Sequence, residues 1–303
     1  MSAKKYKVIS PAKINWQLKV YPKSSAELDY HEVNTILQTL SLHDNIAITF
    51  DCDIDEPNFI YSGEFAEEIK NVPVHDNLIY KAIDGIYSLL DKTPAKYIAE
   101  IDKNIPLRAG LGGGSSNAAA AIIATCKHLS IDIASDLIQN FAANLGSDVP
   151  FFLKTGCAEM GGRGSLFIAS HKPFIAPILL VKPNSGISTA KCYEQFDIMQ
   201  TNSLDSTKLD NCKTFVNDNT KRPVLYNSLQ LPATQINSEV KDVIEFLSNE
   251  VGHENVELCG SGACVFAICD DFRCATKLAG LAKLKGWWSR ATYTSKVGAS
   301  LLQ

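Results

Sequence analysis

The sequence predicts an α+β protein of two lobes, divided between about residues 160 and 176. Three observations carry this. The chain has 303 residues, room for one large or two ordinary domains. Strand-like alternation and helix-like spacing both recur along it, but not as regular βαβ units, and no fixed-period repeat is present. Two turns built of small residues lie one in each half, Gly110-Leu111-Gly112-Gly113-Gly114 and Gly260-Ser261-Gly262-Ala263. Such turns let backbone come close to a ligand, so the cleft between the lobes is expected to hold the chemistry. The first lobe is taken as residues 1–165 and the second as 166–303.

Each element follows from the residues in order. Tyr6 to Val20 alternates as strand, interrupted at Pro11-Ala12-Lys13-Ile14-Asn15. Lys13 and Asn15 lie two apart and share a face of an extended segment; that face is either a solvated edge or the wall of a cleft. Tyr21 to Asp29 is polar and turn-like. Tyr30-His31 follows, a packed pair or an aromatic platform with a titratable ring. Ile46 to Phe50 alternates as strand, and Asp51 to Glu68 is acidic and loop-like. A helix opens at Asp76-Asn77-Leu78-Ile79, capped by Asp76 or Asn77, with Ile79, Ile83, Ile86 and Leu90 as its apolar stripe. Tyr97 to Ile105 is a strand leading to the glycine loop. Helices are expected over Ser116–Leu129 and Ala134–Leu145, the second stopped by Gly146. Asp148 stands just beyond, before Val149-Pro150-Phe151-Phe152, as a turn or cap or as a base in a partly apolar cleft. Gly156 to Gly164 marks tight turns or the approach of a ligand.

In the second half, a short strand is expected at Pro177–Val181, a loop at Pro183–Thr189 and a helix at Ala190–Phe196. Asp197 to Arg222 is polar without a period. Asn237–Asn249 reads as helix, Val256–Gly262 and Ala263–Asp270 as strands about a turn, Phe272–Leu284 as helix and Trp287–Lys296 as strand.

The stretch Pro106-Leu107-Arg108-Ala109-Gly110-Leu111-Gly112-Gly113-Gly114-Ser115-Ser116-Asn117 carries the strongest signal. Four glycines fall in five positions, and a run of alanines and isoleucines follows. Strand, glycine loop and helix start together read either as a plain glycine turn or as a site for phosphate, where the first helical turn leaves N–H groups unpaired at the positive end of the macrodipole. Ser115, Ser116 and Asn117 can cap the helix or reach a phosphate or its metal. No Gly-Lys-Ser/Thr closes a Walker loop, and the dinucleotide fingerprint wants an early strand with an acidic residue about twenty residues on.

Composition excludes several classes. Net charge is −4, with no basic stripe for nucleic acid. No apolar run approaches the roughly 20 residues of a membrane span, and the start, Met1-Ser2-Ala3-Lys4-Lys5-Tyr6, leads to no signal core. The protein is expected in the cytoplasm. Nine scattered cysteines read as reduced thiols. The five-residue spacing of Cys259, Cys264, Cys269 and Cys274 reads as strand residues on opposite faces rather than a metal site.

Residues 106–117 resemble the phosphate loop of the GHMP kinases, Pro11-Ala12-Lys13-Ile14-Asn15 their first motif, and Leu258-Cys259-Gly260-Ser261-Gly262-Ala263-Cys264-Val265-Phe266 their third. Tyr30-His31, Asp76-Asn77-Leu78-Ile79 and Gly146-Ser147-Asp148-Val149-Pro150-Phe151-Phe152 resemble the 4-diphosphocytidyl-2-C-methyl-D-erythritol kinase branch of that family. The resemblance implies a mixed β/α N-terminal lobe, a ferredoxin-like C-terminal lobe and a cleft between them. It implies an ATP-dependent kinase acting on a hydroxyl of a small molecule that bears cytidine diphosphate, in isoprenoid synthesis. Mg²⁺ would accompany the ATP. No nucleic acid or membrane partner is expected, and the chain is read as a monomer or weak homodimer.

By the same resemblance, Asp148 is the base and Lys13 the cation at the acceptor hydroxyl. Gly110, Leu111, Gly112, Gly113, Gly114, Ser115, Ser116 and Asn117 hold the phosphates, with Ser115 or Ser116 at the metal. Asn77, Leu78, Ile79 and Lys103 lie on the adenosine side. Tyr30 and His31 hold the cytosine, Asn15 and Thr189 lie near the substrate diphosphate, and Arg163 lies on the cytidine side. The sequence departs from the family at Trp16-Gln17, at Asp29 and at Ser228. The alternatives are a mevalonate or homoserine type kinase, or a non-catalytic nucleotide-binding protein of this fold.

Overall fold

The computed structural model describes residues 3–23, 30–93, 95–202 and 222–302. Asp29 and residues 24–28, within the turn expected from Tyr21, lie outside the described residues, as do 203–221, most of the polar stretch expected from Asp197.

The first lobe is built on two long antiparallel strands, β1 (Lys4–Val20) and β2 (Val33–Phe50). The proline at position 11 does not end β1, as the sequence suggested; register shifts at Pro11/Lys13 and Asn15/Gln17 absorb it. A shift of this kind re-aims side chains without breaking the strand. Then come β3 (Asn58–Ser62), α1 (Ala66–Lys70), α2 (Leu78–Leu89) and β4 (Tyr97–Asp102). β3 and α1 lie where a surface loop was expected, and β3 pairs in parallel with β4. Asn77 caps α2 by accepting the Ile79 N–H at 2.9 Å, and Ile79, Ile83 and Ile86 are buried, as the spacing implied. The helices α3 (Gly113–Leu129), α4 (Asp136–Leu145) and α5 (Val149–Lys154) precede β5 (Cys157–Gly161) and β6 (Leu166–Ser170). Ala118 to Ala121 and Ala124 of α3 are all fully buried. The small side chains let this helix run through the middle of the lobe, against β1, β2, α2 and α5.

The second lobe runs β7 (Pro177–Lys182), α6 (Thr189–Asn202), β8 (Tyr226–Asn227), α7 (Gln230–Ile236), α8 (Ser238–Val251), β9 (Val256–Leu258), β10 (Val265–Ile268), α9 (Phe272–Leu284) and β11 (Trp288–Tyr293), and β12 (Ser300–Leu301) ends the chain. Its sheet has the order β11-β7-β10-β9, all antiparallel. With helices after β7 and β10 this is the ferredoxin-like βαββαβ arrangement. α6 starts at Thr189 and runs to Asn202, past the end expected at Phe196. The first sheet has the path β12-β1-β2-β4-β3; β5 joins β2, β6 joins β5 and β8 adds to β1. β6 therefore belongs to the first sheet, and the chain enters the second at Pro177.

The two sheets share a core. Ala12, Ile14 and Trp16 of β1 pack with Ile178, Leu180 and Phe266 of the second sheet. Trp16, one of the departures from the family pattern, is fully buried, and its indole N–H donates to Gln38 Oε1 at 2.9 Å. Such an apolar seam fixes how the lobes face each other, and so the shape of the cleft. Among the described residues no helix is long and apolar enough to cross a membrane.

Candidate active site

A cleft of about 840 Å³ opens between the lobes. The glycine loop forms its floor. Gly110 and Gly112 have φ of +75° and +71°. A Cβ on Gly110 would stand 1.8 Å from the Cys259 carbonyl oxygen, and one on Gly112 would stand 2.9 Å from Lys13 Cγ. The loop is thus held between the second lobe and Lys13, too close for any side chain. Lys13 N donates to Leu111 O at 2.9 Å and Cys264 N to Ala109 O at 3.3 Å. Both small-residue turns meet here, one from each lobe.

α3 begins at Gly113, three residues before the expected start, because Gly113 and Gly114 adopt the helical conformation themselves. The cap is Gly112, and no side chain caps the helix. The N–H groups of residues 113–115 precede the first intrahelical bond, Ser116 N to Gly112 O at 2.9 Å. Ser115, Ser116 and Asn117 therefore do not act as caps. Ser115 lines the cleft. Ser116 and Asn117 are buried and turned toward Ser10, whose Oγ donates to Asn117 Oδ1 at 2.6 Å and lies 2.8 Å from Ser116 Oγ. Both side chains face the interior.

Lys13 and Asp148 come together. Lys13 Nζ lies 3.4 Å from Asp148 Oδ2, with the lysine side chain 5% exposed and the aspartate 28%. Lys13 Nζ also donates to Asn15 Oδ1 at 3.0 Å, and Asn15 Nδ2 to Thr35 Oγ1 at 2.8 Å. This resolves the two readings of the Lys13–Asn15 face in favour of the cleft wall. Asp148 occupies the residue before α5 yet makes no side-chain cap bond. Its carboxylate is left to Lys13 and to whatever enters the cleft.

The adenosine-side expectations divide. Leu78 Cδ1 stands 3.5 Å from where a Gly114 Cβ would be, beside the loop. Asn77 is occupied as the α2 cap, and its Nδ2 reaches Tyr61 Oη at 3.3 Å. Ile79 is fully buried in the first core and Leu111 in the shared one, so neither side chain reaches the cleft. Lys103 stands beside the loop, its Nζ 3.1 Å from where a Gly113 Cβ would be. Its ammonium is turned inward, 2.6 Å from Asp44 Oδ2 and 2.6 Å from Ile105 O. Burial pulls its pKa down and Asp44 opposes the shift. Asp44 in turn accepts the N–H groups of Asn104 and Ile105, so the pair supports the segment that feeds the loop.

At the far end of the cleft stand Tyr30, 47% exposed, and His31, nearly buried. His31 Nε2 lies 2.6 Å from Asp197 Oδ1. Its ring lies 5.1 Å from that of Tyr193, tilted by 39°, and meets Phe196 edge-on at 5.8 Å. Burial first, and then Asp148, hold the Tyr193 phenol above its ordinary pKa. Thr189 Oγ1 lies 2.8 Å from Ser261 Oγ, joining the start of α6 to the second-lobe turn. The Arg163 guanidinium lines the cleft but donates to Ala143 O at 2.6 Å, near the end of α4.

Sequence reasoning missed Tyr193, Asp197 and Lys23 and named Ser261 only as part of the second-lobe turn; all four line this cleft. Thr189, Tyr193 and Asp197 recur every four residues, one stripe of α6, and that spacing was available in the sequence. Ser228, another departure, accepts the Val20 N–H at 3.0 Å and so joins the second lobe to the end of β1. Gly156 and Gly164 are also resolved: a Cβ on Gly156 would stand 2.1 Å from the Lys296 carbonyl carbon, so the close approach there is to the chain itself, while Gly164 lines the cleft. Cys259 and Cys264 flank the turn and face the shared core together, whereas Cys269 faces the second-lobe core.

Known proteins match along most of the chain. Residues 77–156 match the family model for the GHMP kinases N terminal domain and 216–279 that for GHMP kinases C terminal. The 4-diphosphocytidyl-2-C-methyl-D-erythritol kinase of Prochlorococcus marinus (strain MIT 9515) is 32% identical over 92% of this chain and 90% of that relative. The enzyme of the same name from Desulfitobacterium hafniense (strain Y51) is 31% identical over 89% of each. The crystal structure of a 4-(cytidine 5'-diphospho)-2C-methyl-D-erythritol kinase superposes with a TM-score of 0.69 at 26% identity, covering 95% of this chain and 99% of the other. Homoserine kinase from Cytophaga hutchinsonii shares the fold, with a TM-score of 0.66 at 16% identity over 100% of this chain and 99% of that one.

Proposed function

The chain belongs to the GHMP kinases, ATP-dependent phosphotransferases, and we propose that it transfers the γ-phosphoryl group of ATP to a hydroxyl of 4-diphosphocytidyl-2-C-methyl-D-erythritol, in the non-mevalonate route to isoprenoids. The observation that carries the reading is the contact of Lys13 with Asp148, 3.4 Å apart, at the edge of a glycine loop and in one cleft with the rings of Tyr30, His31 and Tyr193.

The acceptor alcohol loses its proton to the Asp148 carboxylate as its oxygen attacks the γ-phosphorus. The bond from that phosphorus to the β-phosphate oxygen breaks, and ADP departs. The Lys13 ammonium offsets charge on the attacking oxygen, and Asn15 fixes the ammonium in place. Phosphoryl transfer asks mainly for alignment and charge neutralisation. The open N–H groups of residues 113–115 suit phosphate oxygens, in a cradle that a side chain on Gly110 or Gly112 would fill. When bound, Mg²⁺ draws charge from the phosphate oxygens. Ser115 is the serine we assign to it, because its hydroxyl faces the cleft while that of Ser116 is engaged with Ser10. Leu78 borders the adenosine side of the loop. Tyr30, His31 and Tyr193 form the nucleobase end. We assign Thr189 and Lys23, which line the same cleft, to the substrate diphosphate and Arg163 to the cytidine side. We place the reaction in the cytoplasm, with a monomer or weak homodimer as the working unit.

A rival acceptor such as mevalonate or homoserine has no nucleobase to occupy the ring cluster. ATP consumption measured with the cytidylylated tetritol, mevalonate and homoserine in parallel tests the assignment. Turnover of the first alone is the expected result; turnover of either other acceptor without the first refutes it.

A further inference from the structure

The nucleobase end of the cleft contains a hydrogen bond whose direction is fixed by chemistry. His31 Nε2 lies 2.6 Å from Asp197 Oδ1. A carboxylate only accepts, so the proton between them sits on Nε2. The neutral ring then has its lone pair on Nδ1. Among the described residues Nδ1 carries no hydrogen bond. Tyr193 and Phe196 hold the ring from two sides, so the imidazole cannot turn over without displacing one of them. All three partners come from α6, in the second lobe, whereas His31 precedes β2 in the first.

We propose that Asp197 is a positioning residue that locks His31 in its Nε2–H form and so makes the nucleobase site select cytosine over uracil. The proposal rests on the reading of this cleft as a cytidine-diphosphate site. Cytosine presents an exocyclic amino group, a donor, where uracil presents a carbonyl oxygen. A lone pair on Nδ1 accepts from the first and opposes the second. Discrimination of this kind comes as much from the mismatch as from the match. Were Nε2 to lose its acceptor, the proton would be free to move to Nδ1, and the ring would lose its preference. Asp197 also makes base selection depend on the relative position of the lobes, because the acceptor stands on one and the ring on the other.

The test compares wild type, Asp197→Ala and Asp197→Glu with the cytidylyl and uridylyl forms of the tetritol at saturating ATP. The tautomer of His31 is read in the same proteins from proton–nitrogen correlation spectra of the imidazole. Wild type is expected to favour the cytidylyl form and to show protonated Nε2 with bare Nδ1. Asp197→Ala is expected to raise KM for the cytidylyl form about 10-fold with little change in kcat, to narrow the preference between the two bases, and to mix the tautomers. Asp197→Glu is expected to restore part of each. The Asp197 side chain is 41% exposed, so its truncation leaves the packing in place, and a thermal melt checks this. Should the alanine variant not fold, the wild-type spectrum and the glutamate variant decide. Equal use of both bases by wild type, protonated Nδ1 in wild type, or an unchanged base preference in a folded Asp197→Ala overturns the proposal while leaving the kinase reading intact. A wild-type enzyme that ignores the cytidylyl form and phosphorylates mevalonate or homoserine overturns the substrate reading itself.

Discussion

Replacing Asp148 with asparagine isolates the proton acceptor from everything else in the cleft. The amide has nearly the volume of the carboxylate, and the wild-type side chain makes no cap bond to α5, so the helix start does not depend on it. What is lost is the group 3.4 Å from the Lys13 ammonium. A positioned general base contributes about 10²- to 10⁴-fold. At roughly 1.4 kcal/mol per decade, this raises the barrier by about 3–5 kcal/mol. ATP affinity is expected to stay within about threefold, since the phosphates are assigned to the main-chain N–H groups of residues 113–115 rather than to side-chain carboxylates. The assay pairs steady-state ATP consumption on the cytidylylated substrate with calorimetric titration of a non-hydrolysable ATP analogue. Asp148→Asn with kcat within about threefold of wild type would refute the role of Asp148 as base. Loss of ATP affinity equal to the loss of kcat would show that the carboxylate serves nucleotide binding instead.

Four further outcomes are expected. Lys103→Met leaves Asp44 buried with two N–H partners and no cation, so denaturant unfolding should report a loss of about 3–5 kcal/mol. Glu257 is buried in β9, and burial carries its pKa from an ordinary 4.5 to about 8, against a smaller opposing hydrogen bond from the Leu258 N–H. The folded state thus holds a proton that the unfolded chain has released. This part of the stability is intact below about pH 4.5, falls as pH rises and is gone above about pH 8, at a cost on the order of 5 kcal/mol. Glu257→Gln should flatten that slope in unfolding curves from pH 5 to 9. Gly110→Ala forces a Cβ to 1.8 Å from the Cys259 carbonyl oxygen at φ +75°, and should lower stability by roughly 2–4 kcal/mol from strain and overlap together, with loss of ATP binding by titration. Ser115→Ala should raise the Mg²⁺ concentration needed for half-maximal rate, whereas Ser116→Ala, which breaks the contact with Ser10, should lower the melting temperature instead.

Local patterns made much of this legible. The α2 stripe, the Asn77 cap and the span of α9 follow directly from helical spacing and capping chemistry. Lys13 and Asp148 were each visible as candidates, but nothing local says that positions 135 residues apart meet. That contact depends on the long β1–β2 pair and on the seam of Trp16 with Phe266, which are tertiary facts. Lys103 shows the opposite limit. Its place before the loop invites a ligand role, yet the Asp44 carboxylate that claims it stands 59 positions away in β2. Ser116 and Asn117 misled for a related reason. Residues of the right type at a helix start look like caps, but two glycines took up the first turn and moved them inside. Tyr193 and Asp197 were missed because α6 runs on through a segment whose polarity hid its period. β3 was hidden by the acidic residues around it, and β12, only two residues long, has no local signal.

The central claim is that one alcohol stands between Asp148 and Lys13 while the glycine loop holds the phosphates. A crystal structure with the cytidylylated tetritol and a non-hydrolysable ATP analogue measures this directly. The account requires the acceptor oxygen within about 3.2 Å of both the Asp148 carboxylate and the Lys13 ammonium, with the terminal phosphate against the N–H groups of residues 113–115. An acceptor oxygen bound away from both side chains, or a triphosphate that avoids the loop, would contradict it.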